Sequence, residues 1–515
     1  VLFITDNICS SSVYVVEADS FKEYLMQRRI VLSLVVAIVL VYLAIPFALA
    51  ADVQSLPSES WLGVYIAGQK TGYMHMVTEK AQYEGRECLK ISSFLRMKMV
   101  LLGQNAQQDV KTVTYTDERY TPLFQTYDMS SGGSKTVIEA KFLPKEVQCK
   151  VISKDVESQR VVPIPEGKSL IGDSMYALGS GKMAVGQKTN TYFFNPMTIS
   201  IDPLTAEVLR QENIEVKGKT YDTYVVKCSM GNMGDVTTWQ TESGNIIKSV
   251  AILGLTMLKE TGEEAVSGVD SDYIPPDDLA VLSSVKANID IPDPRAIKKL
   301  IIKLSGNLEP KMGISDNRQK VRWLENSGED KVGEWTIDAE KFDPAKSAKL
   351  PIKDKALDSY LKPSPYLQCD APEIKAKAAE IVSNEKSAYK AAERIRSWVS
   401  ANMKPQADIG IARPAIDVLK NKVGVCRDYA VLFASLARAA GIPTKIDAGL
   451  IYMNGHFYYH AWVEAYVGEW VVFDATLKSD FVDATHIKLT EGDATNMFEM
   501  ASVFGTLKAE IVKFQ

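Results

Sequence analysis

The sequence predicts an α+β protein, on three observations. Residues from about Trp61 to Ala265 read as short extended runs broken by turn residues such as Ala67-Gly68 and Ser131-Gly132-Gly133. A smaller strand-rich stretch follows, to about Pro365. From about Ala371 the apolar period becomes helical, and after Pro443 it returns to strands. A chain of 515 residues is too long for one core, so about three folded units are expected. The expected boundaries are 1–50 for an upstream segment with a signal peptide or membrane anchor, 51–266 for an antiparallel β domain, 267–365 for a linker and small β module, and 366–515 for the last domain.

Gln27-Arg28-Arg29, the apolar run Ile30 to Phe47 and Ala48-Leu49-Ala50 have the order of a signal peptide. Met26 just before the basic pair is the expected natural start, with Val1 to Leu25 as translated upstream sequence. Cleavage after Ala50 is the first choice. The run is long for a cleaved segment, so retention as an N-terminal membrane anchor is the alternative. Either way the remainder is expected to be exported, periplasmic or extracellular. Net charge is −5 with acids and bases mixed, which lacks the basic stripe of a nucleic-acid binder. Cys9 is lost with the leader. Leaving Cys426 aside, Cys88, Cys149, Cys228 and Cys369 allow three pairings, and buried thiols fit equally well.

The spacing of strands between Trp61 and Ala265 predicts a large antiparallel sheet, curved or nearly closed. Separate strands are expected at Thr198 to Val208 and Asn213 to Val216, and a helix at Ser169 to Gly181. The opening W-L-G-V-Y-I-A-G-Q-K-T-G-Y resembles the first hairpin of half-barrel domains in exported bacterial proteins. Met74, His75 and Met76 are donor types that suit copper. Alternate residues of a strand face opposite ways, however, so ordinary packing is expected. Ser267 to Asp278 reads as an acidic linker. Beyond it, Lys286 to Ile291, Lys298 to Ser305, Lys320 to Leu324 and Gly333 to Ile337 read as strands of the small module.

Pro372 to Val382, Lys386 to Met403 and Pro414 to Lys420 read as helices. A further helix runs from Cys426, with Ala430, Leu432, Phe433, Leu436, Ala437 and Ala440 on its apolar face, until Gly441 and Pro443 stop it. Cys426 therefore falls at a helix N-terminus, where open amides and the macrodipole favour a thiolate. Strands follow at Thr444 to Met453, Phe457 to Tyr466 and Trp470 to Thr476, with a hairpin turn at Asn454-Gly455 and another near Val467-Gly468. His460 and Asp474 flank the second turn and become adjacent or diagonal neighbours if the strands pair. A thiol at a helix start, an imidazole and a carboxylate are what a cysteine nucleophile requires: a base, and a partner that orients the base.

Four blocks in order, G-x-C-x-D-Y-A, A-R-A-A-G-I-P, H-A-W-V-E and W-x-x-x-D-A-T, resemble the core of the transglutaminase-like superfamily, in its exported bacterial type. The resemblance spans roughly Ile374 to Asp480, and its last block has D-A-T where D-P-T is commoner. It implies a papain-like core at the C-terminus, with Cys426, His460 and Asp474 catalytic. It also implies a thioester acyl-enzyme formed from a peptide or glutamine-type amide in a peptide or protein substrate, with no cofactor. Hydrolysis is favoured over amine transfer. The alternatives are a cross-linking transamidase and a non-catalytic scaffold whose β domain holds a ligand or partner. The backbone amide of Cys426 is the expected first oxyanion donor; Trp398, Asn402 and Gln406 are open as the second. His456 is expected at the hairpin tip and Glu464 in solvent. No second His or Cys has zinc-ligand spacing, so no metal is expected.

Overall fold

In the computed structural model the described residues are 56–515, other than 67, 102–103, 154–155, 173–182, 231–233, 252–253, 270–282, 326–329, 407–412 and 478–480. The apolar run at 30–47, most of the expected helix Ser169 to Gly181 and most of the expected linker lie outside the described residues. No described helix is long and apolar enough to cross a membrane.

Fourteen strands form one antiparallel sheet. Eight come in succession: β1 (Ser58–Ile66), β2 (Gln69–Tyr83), β3 (Arg86–Leu101), β4 (Gln104–Thr116), β5 (Pro122–Ser131), β6 (Ser134–Phe142), β7 (Glu146–Ser153) and β8 (Val156–Pro163). Six more follow: β9 (Lys188–Asn195), β10 (Ser200–Val216), β11 (Lys219–Ser229), β12 (Asp235–Gln240), β13 (Ile246–Val250) and β14 (Thr256–Glu260). Each strand pairs with the next in its series, and β14 pairs with β1, which joins the two meanders. β10, beside the edge strand β9, touches the other edge strand β8, so the sheet curls into a half-barrel. Alternation sets its two faces. On β5 and β6, Tyr127, Met129, Ile138 and Ala140 are buried, while Thr126, Asp128 and Glu139 between them are only half-buried.

One feature departs from the sequence reading and another follows it. The strands expected on either side of Leu209 are one long strand, β10, because pairing to β11 continues through a bulge between Val208 and Arg210. His75 stacks on Trp61 with ring centroids 3.8 Å apart and lies 2.7 Å from Glu59 Oε1, while Met74 and Met76 are buried on the other face. The Met-His-Met triplet is packing, as alternation requires.

The next strands are β15 (Val285–Lys286), β16 (Lys299–Gly306), β17 (Gln319–Leu324) and β18 (Lys331–Asp338). The C-terminal region then supplies α1 (Pro372–Val382), α2 (Ala388–Asn402), β19 (Lys404–Pro405), α3 (Ala415–Asn421), β20 (Val423–Gly424) and α4 (Cys426–Ala439). It ends with β21 (Thr444–Met453), β22 (His456–Tyr466), β23 (Trp470–Phe473), β24 (Ile487–Gly492) and β25 (Lys508–Phe514). β15, β22, β21 and β24 form a sheet in that order, with β23 paired to β22. Helix α4 packs on β21 and β22, and α1, α2 and α3 surround it. Its residues Cys426 to Arg438 are all buried, which explains why it is apolar well beyond a single stripe.

The chain crosses between these units twice. β15 pairs with Phe457 and His456 of β22 instead of with the module strands. β25, the last strand, leaves the C-terminal sheet and pairs with β16, giving the module the order β17-β18-β16-β25. Leu300, Ile302 and Leu304 are fully buried on β16, as their alternation demands. One apolar core is continuous from the half-barrel through the module to α4.

Leu304→Ala should cost about 2–5 kcal/mol, the range for truncating a buried leucine. Because β16 pairs with both β18 and β25, amide hydrogen exchange should speed up in 331–338 and 508–514 together. Acceleration confined to one of these segments would contradict the shared-strand arrangement.

Candidate active site

Cys426 is the first residue of α4, and a buried charged cluster fixes that start. Val425 is extended at the N-cap, and the Asp428 carboxylate in the first turn accepts from its backbone N–H at 3.0 Å. Arg413, also buried, lies 3.3 Å from the same carboxylate and donates to the carbonyl of Val423 at 2.6 Å. Gly424 is required by this crowding: an added Cβ would lie 2.5 Å from Asp428 Oδ2 and 2.8 Å from Arg413 Nη2. The G-x-C-x-D block is thus the geometry of a helix start that fixes Cys426 as the first helical residue.

His460 lies in β22 opposite Gly449 of β21. Val463 faces Phe473, the last residue of β23, so Asp474 comes level with Trp462 and sits diagonally from His460. Of the two geometries open in the sequence, the diagonal one is adopted. His460 Nε2 is 2.8 Å from Asp474 Oδ2. The other carboxylate oxygen, Oδ1, accepts from the Thr476 amide at 2.8 Å and from the Thr476 hydroxyl at 2.6 Å. The D-A-T block is therefore a side chain and a turn that clamps it. With Nε2 committed to Asp474, the buried Nδ1 is the ring nitrogen left for the Cys426 thiol.

Electrostatics couple the three groups. Burial opposes a charged His460 ring, but the Asp474 carboxylate and then the Cys426 thiol outweigh it, and the ring's pKa is raised. Burial likewise opposes an ionised Asp474, yet His460 and His486 hold it well below the usual carboxylate range. Cys426 and His460 are 0% exposed and Asp474 is 3% exposed.

His486 was not anticipated. Its Nε2 is 3.2 Å from Asp474 Oδ2, the atom that also engages His460. It arrives twelve residues after Asp474 from outside the motif blocks, and no spacing rule could have found it. The sequence shows no second His or Cys at zinc-ligand spacing, yet the fold brings His486 to the site. His460, Asp474 and His486 place one donor atom each within 4.8 Å of one another, a set that could hold a metal ion; Asp447, Glu464 and Glu491 form a second such set. In the second, Lys445 and Lys488 already stand 2.7–2.8 Å from Glu464 and Glu491 and supply the positive charge.

Glu464 also departs from expectation. It is buried between Lys445 and Lys488, each at 2.7 Å, because β22 is covered on both sides at that point. His456 begins β22 at the hairpin tip, after Asn454 and Gly455 in left-handed conformation. None of the five described cysteines is in a disulfide. Of the three residues open as a second oxyanion donor, Trp398 packs between Lys377 and Lys422, and Asn402 donates to the Trp398 carbonyl. Gln406 alone of the three reaches the nucleophile's strand. Its backbone N–H donates to Gly424 O at 2.9 Å, while its side-chain amide donates to Gly132 O in the β5–β6 turn at 3.0 Å. The half-barrel therefore abuts the segment leading into Cys426.

Two family models match separate parts of the chain. Residues 375–475 match the transglutaminase-like superfamily core, and residues 63–254 match a family described as a protein of unknown function, DUF3108. The C-terminal segment is accordingly a transglutaminase-like domain in an α+β chain, the domain type of a cysteine enzyme. Similar solved structures include a candidate cysteine protease from Cytophaga hutchinsonii, at 19% identity and TM-score 0.29, covering 42% of this chain and 86% of that one. A β-barrel-like DUF1849 protein from Brucella abortus is 13% identical at TM-score 0.30, covering 41% and 97%. A candidate protease from Parabacteroides distasonis ATCC 8503 is 13% identical at TM-score 0.19, covering 69% of each chain. Among curated proteins none matches.

The two pKa shifts define a pH window. The depressed Asp474 contributes stability above its unfolded value and loses it as pH falls. The raised His460 contributes below its unfolded value and loses it as pH climbs through the folded one. The pair should therefore stabilise most between about pH 4 and about pH 6.5. Asp474→Asn removes the attraction and leaves burial dominant, so the His460 ring, followed by NMR, should titrate at lower pH than in the wild type. An unchanged titration would contradict this account of the pair.

Proposed function

We propose that this protein is an exported cysteine enzyme that cleaves amide bonds through a thioester, with water as the favoured acceptor. The observation that carries the reading is the His460–Asp474 pair at 2.8 Å, coupled to a cysteine at a helix start. His460 Nδ1 takes the proton of the Cys426 thiol, and the thiolate attacks the amide carbonyl carbon. The oxygen becomes an oxyanion, for which the Cys426 backbone N–H at the open end of α4 is a donor. His460 returns the proton to the departing nitrogen, the C–N bond breaks, and an amine or ammonia leaves a thioester on Cys426. Water, deprotonated by His460, attacks the thioester; the acid departs and the thiol is restored. Asp474 holds the ring in the tautomer with Nε2–H and stabilises its cation throughout.

The resemblance to exported bacterial members of the superfamily favours water over an amine as the acceptor, and a peptide or protein as the substrate. Export rests on the basic residues, apolar run and small residues at 27–50; sequencing the N-terminus of the mature protein tests it. The contact of Gln406 with the β5–β6 turn supports a role for the half-barrel in presenting substrate to the core.

Iodoacetamide alkylation tests the nucleophile. Burial raises the pKa of Cys88 and Cys369 and pushes that of Cys149 up to about 12, so these thiols should stay inert near neutral pH. Cys426 should react well below an ordinary thiol's pKa, and His460→Ala should slow it by about 10²–10⁴-fold. Labelling of Cys426 no faster than in unfolded chain would remove the enzymatic reading. A labelled primary amine supplied with a peptide library then separates the two chemistries: cleavage without incorporation supports hydrolysis, and incorporation supports amine transfer.

A further inference from the structure

The Asp474 carboxylate is contacted by more groups than a three-residue site requires. His486 is fully buried, with Nε2 on Asp474 Oδ2 at 3.2 Å and Nδ1 3.5 Å from Asp483 Oδ2. Asp483 is itself fixed. Its Oδ1 accepts from the amide and hydroxyl of Thr485, and its Oδ2 pairs with Arg295 Nη1 at 2.7 Å. Arg295 is anchored in turn on the carbonyl of Tyr452 at 2.5 Å. Arg318 donates to the backbone carbonyl of His486, also at 2.5 Å. The Trp462 ring meets the His486 ring edge-on, with centroids 5.3 Å apart.

The backbone has made room for this approach. An added Cβ on Gly449, directly opposite His460, would lie 1.9 Å from the carbonyl oxygen of Ile487. The pairing of β21 with β24 shifts register at that glycine. Only without a side chain there can β24 come close enough to bring the preceding residue, His486, to Asp474. The result is an unbroken line of buried groups, Cys426, His460, Asp474, His486 and Asp483, that ends on the half-buried Arg295.

We propose that His486 is a positioning residue for the catalytic base, acting through Asp474 as the fourth member of the site. An ionised carboxylate has no proton to give, so both rings present N–H to Asp474 Oδ2. The His486 N–H shares the negative charge that stabilises a protonated His460 and gives Asp474 Oδ2 a second fixed contact. The groups facing His486 are Asp474, Asp483, His460, Arg295 through Asp483, and Arg318 through the backbone. Loss of the His486 N–H leaves the Asp474 charge directed at His460 alone, so the base should keep its proton to higher pH. It also leaves Oδ2 free to turn, so the ring is held less well. This inference rests on the reading of Cys426 and His460 as nucleophile and base.

The test is the pH profile of Cys426 alkylation by iodoacetamide in the full chain, which needs no known substrate. His486→Phe removes both nitrogens at similar volume, with His486→Leu as a second variant should the first not fold. His486→Gln keeps a side-chain N–H donor. The expected result is a profile moved to higher pH by about half a unit or more in the donor-less variants, with the rate at its optimum reduced about 10- to 100-fold. His486→Gln should return the profile toward wild type. Superimposable midpoints in all three overturn the proposal, as does a uniform slowing without a shift, which would mark a purely structural residue. Failure of the underlying reading looks different: wild-type Cys426 itself would then react no faster than an unfolded thiol.

Discussion

The site depends on one constraint: a carboxylate must stay ionised where water is absent. Burying such a charge costs several kcal/mol unless its lone pairs are filled. At Asp474 they are filled by the Thr476 amide and hydroxyl on one oxygen and by two imidazoles on the other. Much of the local architecture follows from that need. β23 ends one residue before Asp474 so that the chain can turn and cap the side chain. β24 presses against Gly449 to deliver the second ring. Helix α4 then supplies the thiol to the remaining nitrogen of His460.

A second buried electrostatic knot holds the sheet that carries His460. Lys488 lies within 2.6–2.8 Å of Asp316, Glu464 and Glu491, and Lys445 meets Glu464 and Glu491 from the neighbouring position. Burial opposes the Lys488 charge, but Asp447, Glu464 and Asp316 around it raise its pKa. Burial, reinforced by Glu464, pushes the Asp447 carboxyl well above its usual range. Asp316 comes from the small module and the other members from β21, β22 and β24, so this knot joins two units as well as three strands. Together with the Arg318 bond to the carbonyl of His486, it makes the module part of the support of the site.

The legible parts of the sequence were those in which local chemistry and tertiary structure agree. α1 and β21 begin and end where proline, glycine and the apolar period place them, and Cys426 begins its helix as the motif implies. The half-barrel was readable because each of its strands pairs with a sequence neighbour, so turn residues mark its two meanders, though not the β1–β14 pairing that joins them. Long-range pairing was not readable. Nothing in Lys508 to Phe514 says that it pairs with β16, and nothing near Val285 says that it meets β22. The same limit hid His486 and made Glu464 look like a solvent residue: its lysine partners stand on β21 and β24, and their approach is set by sheet order, not by spacing along β22.

The destination of β25 has a consequence for synthesis. β16 leaves the ribosome some two hundred residues before its partner strand, β25. Until β25 emerges one flank of β16 is open, a natural template for adhesion to another nascent chain. Lys299 and Lys303, on the half-buried face of that strand, place positive charge beside it, which discourages such adhesion during the interval. Emergence of β25 is thus the event that seals the module and, through it, the backing of the sheet that carries His460.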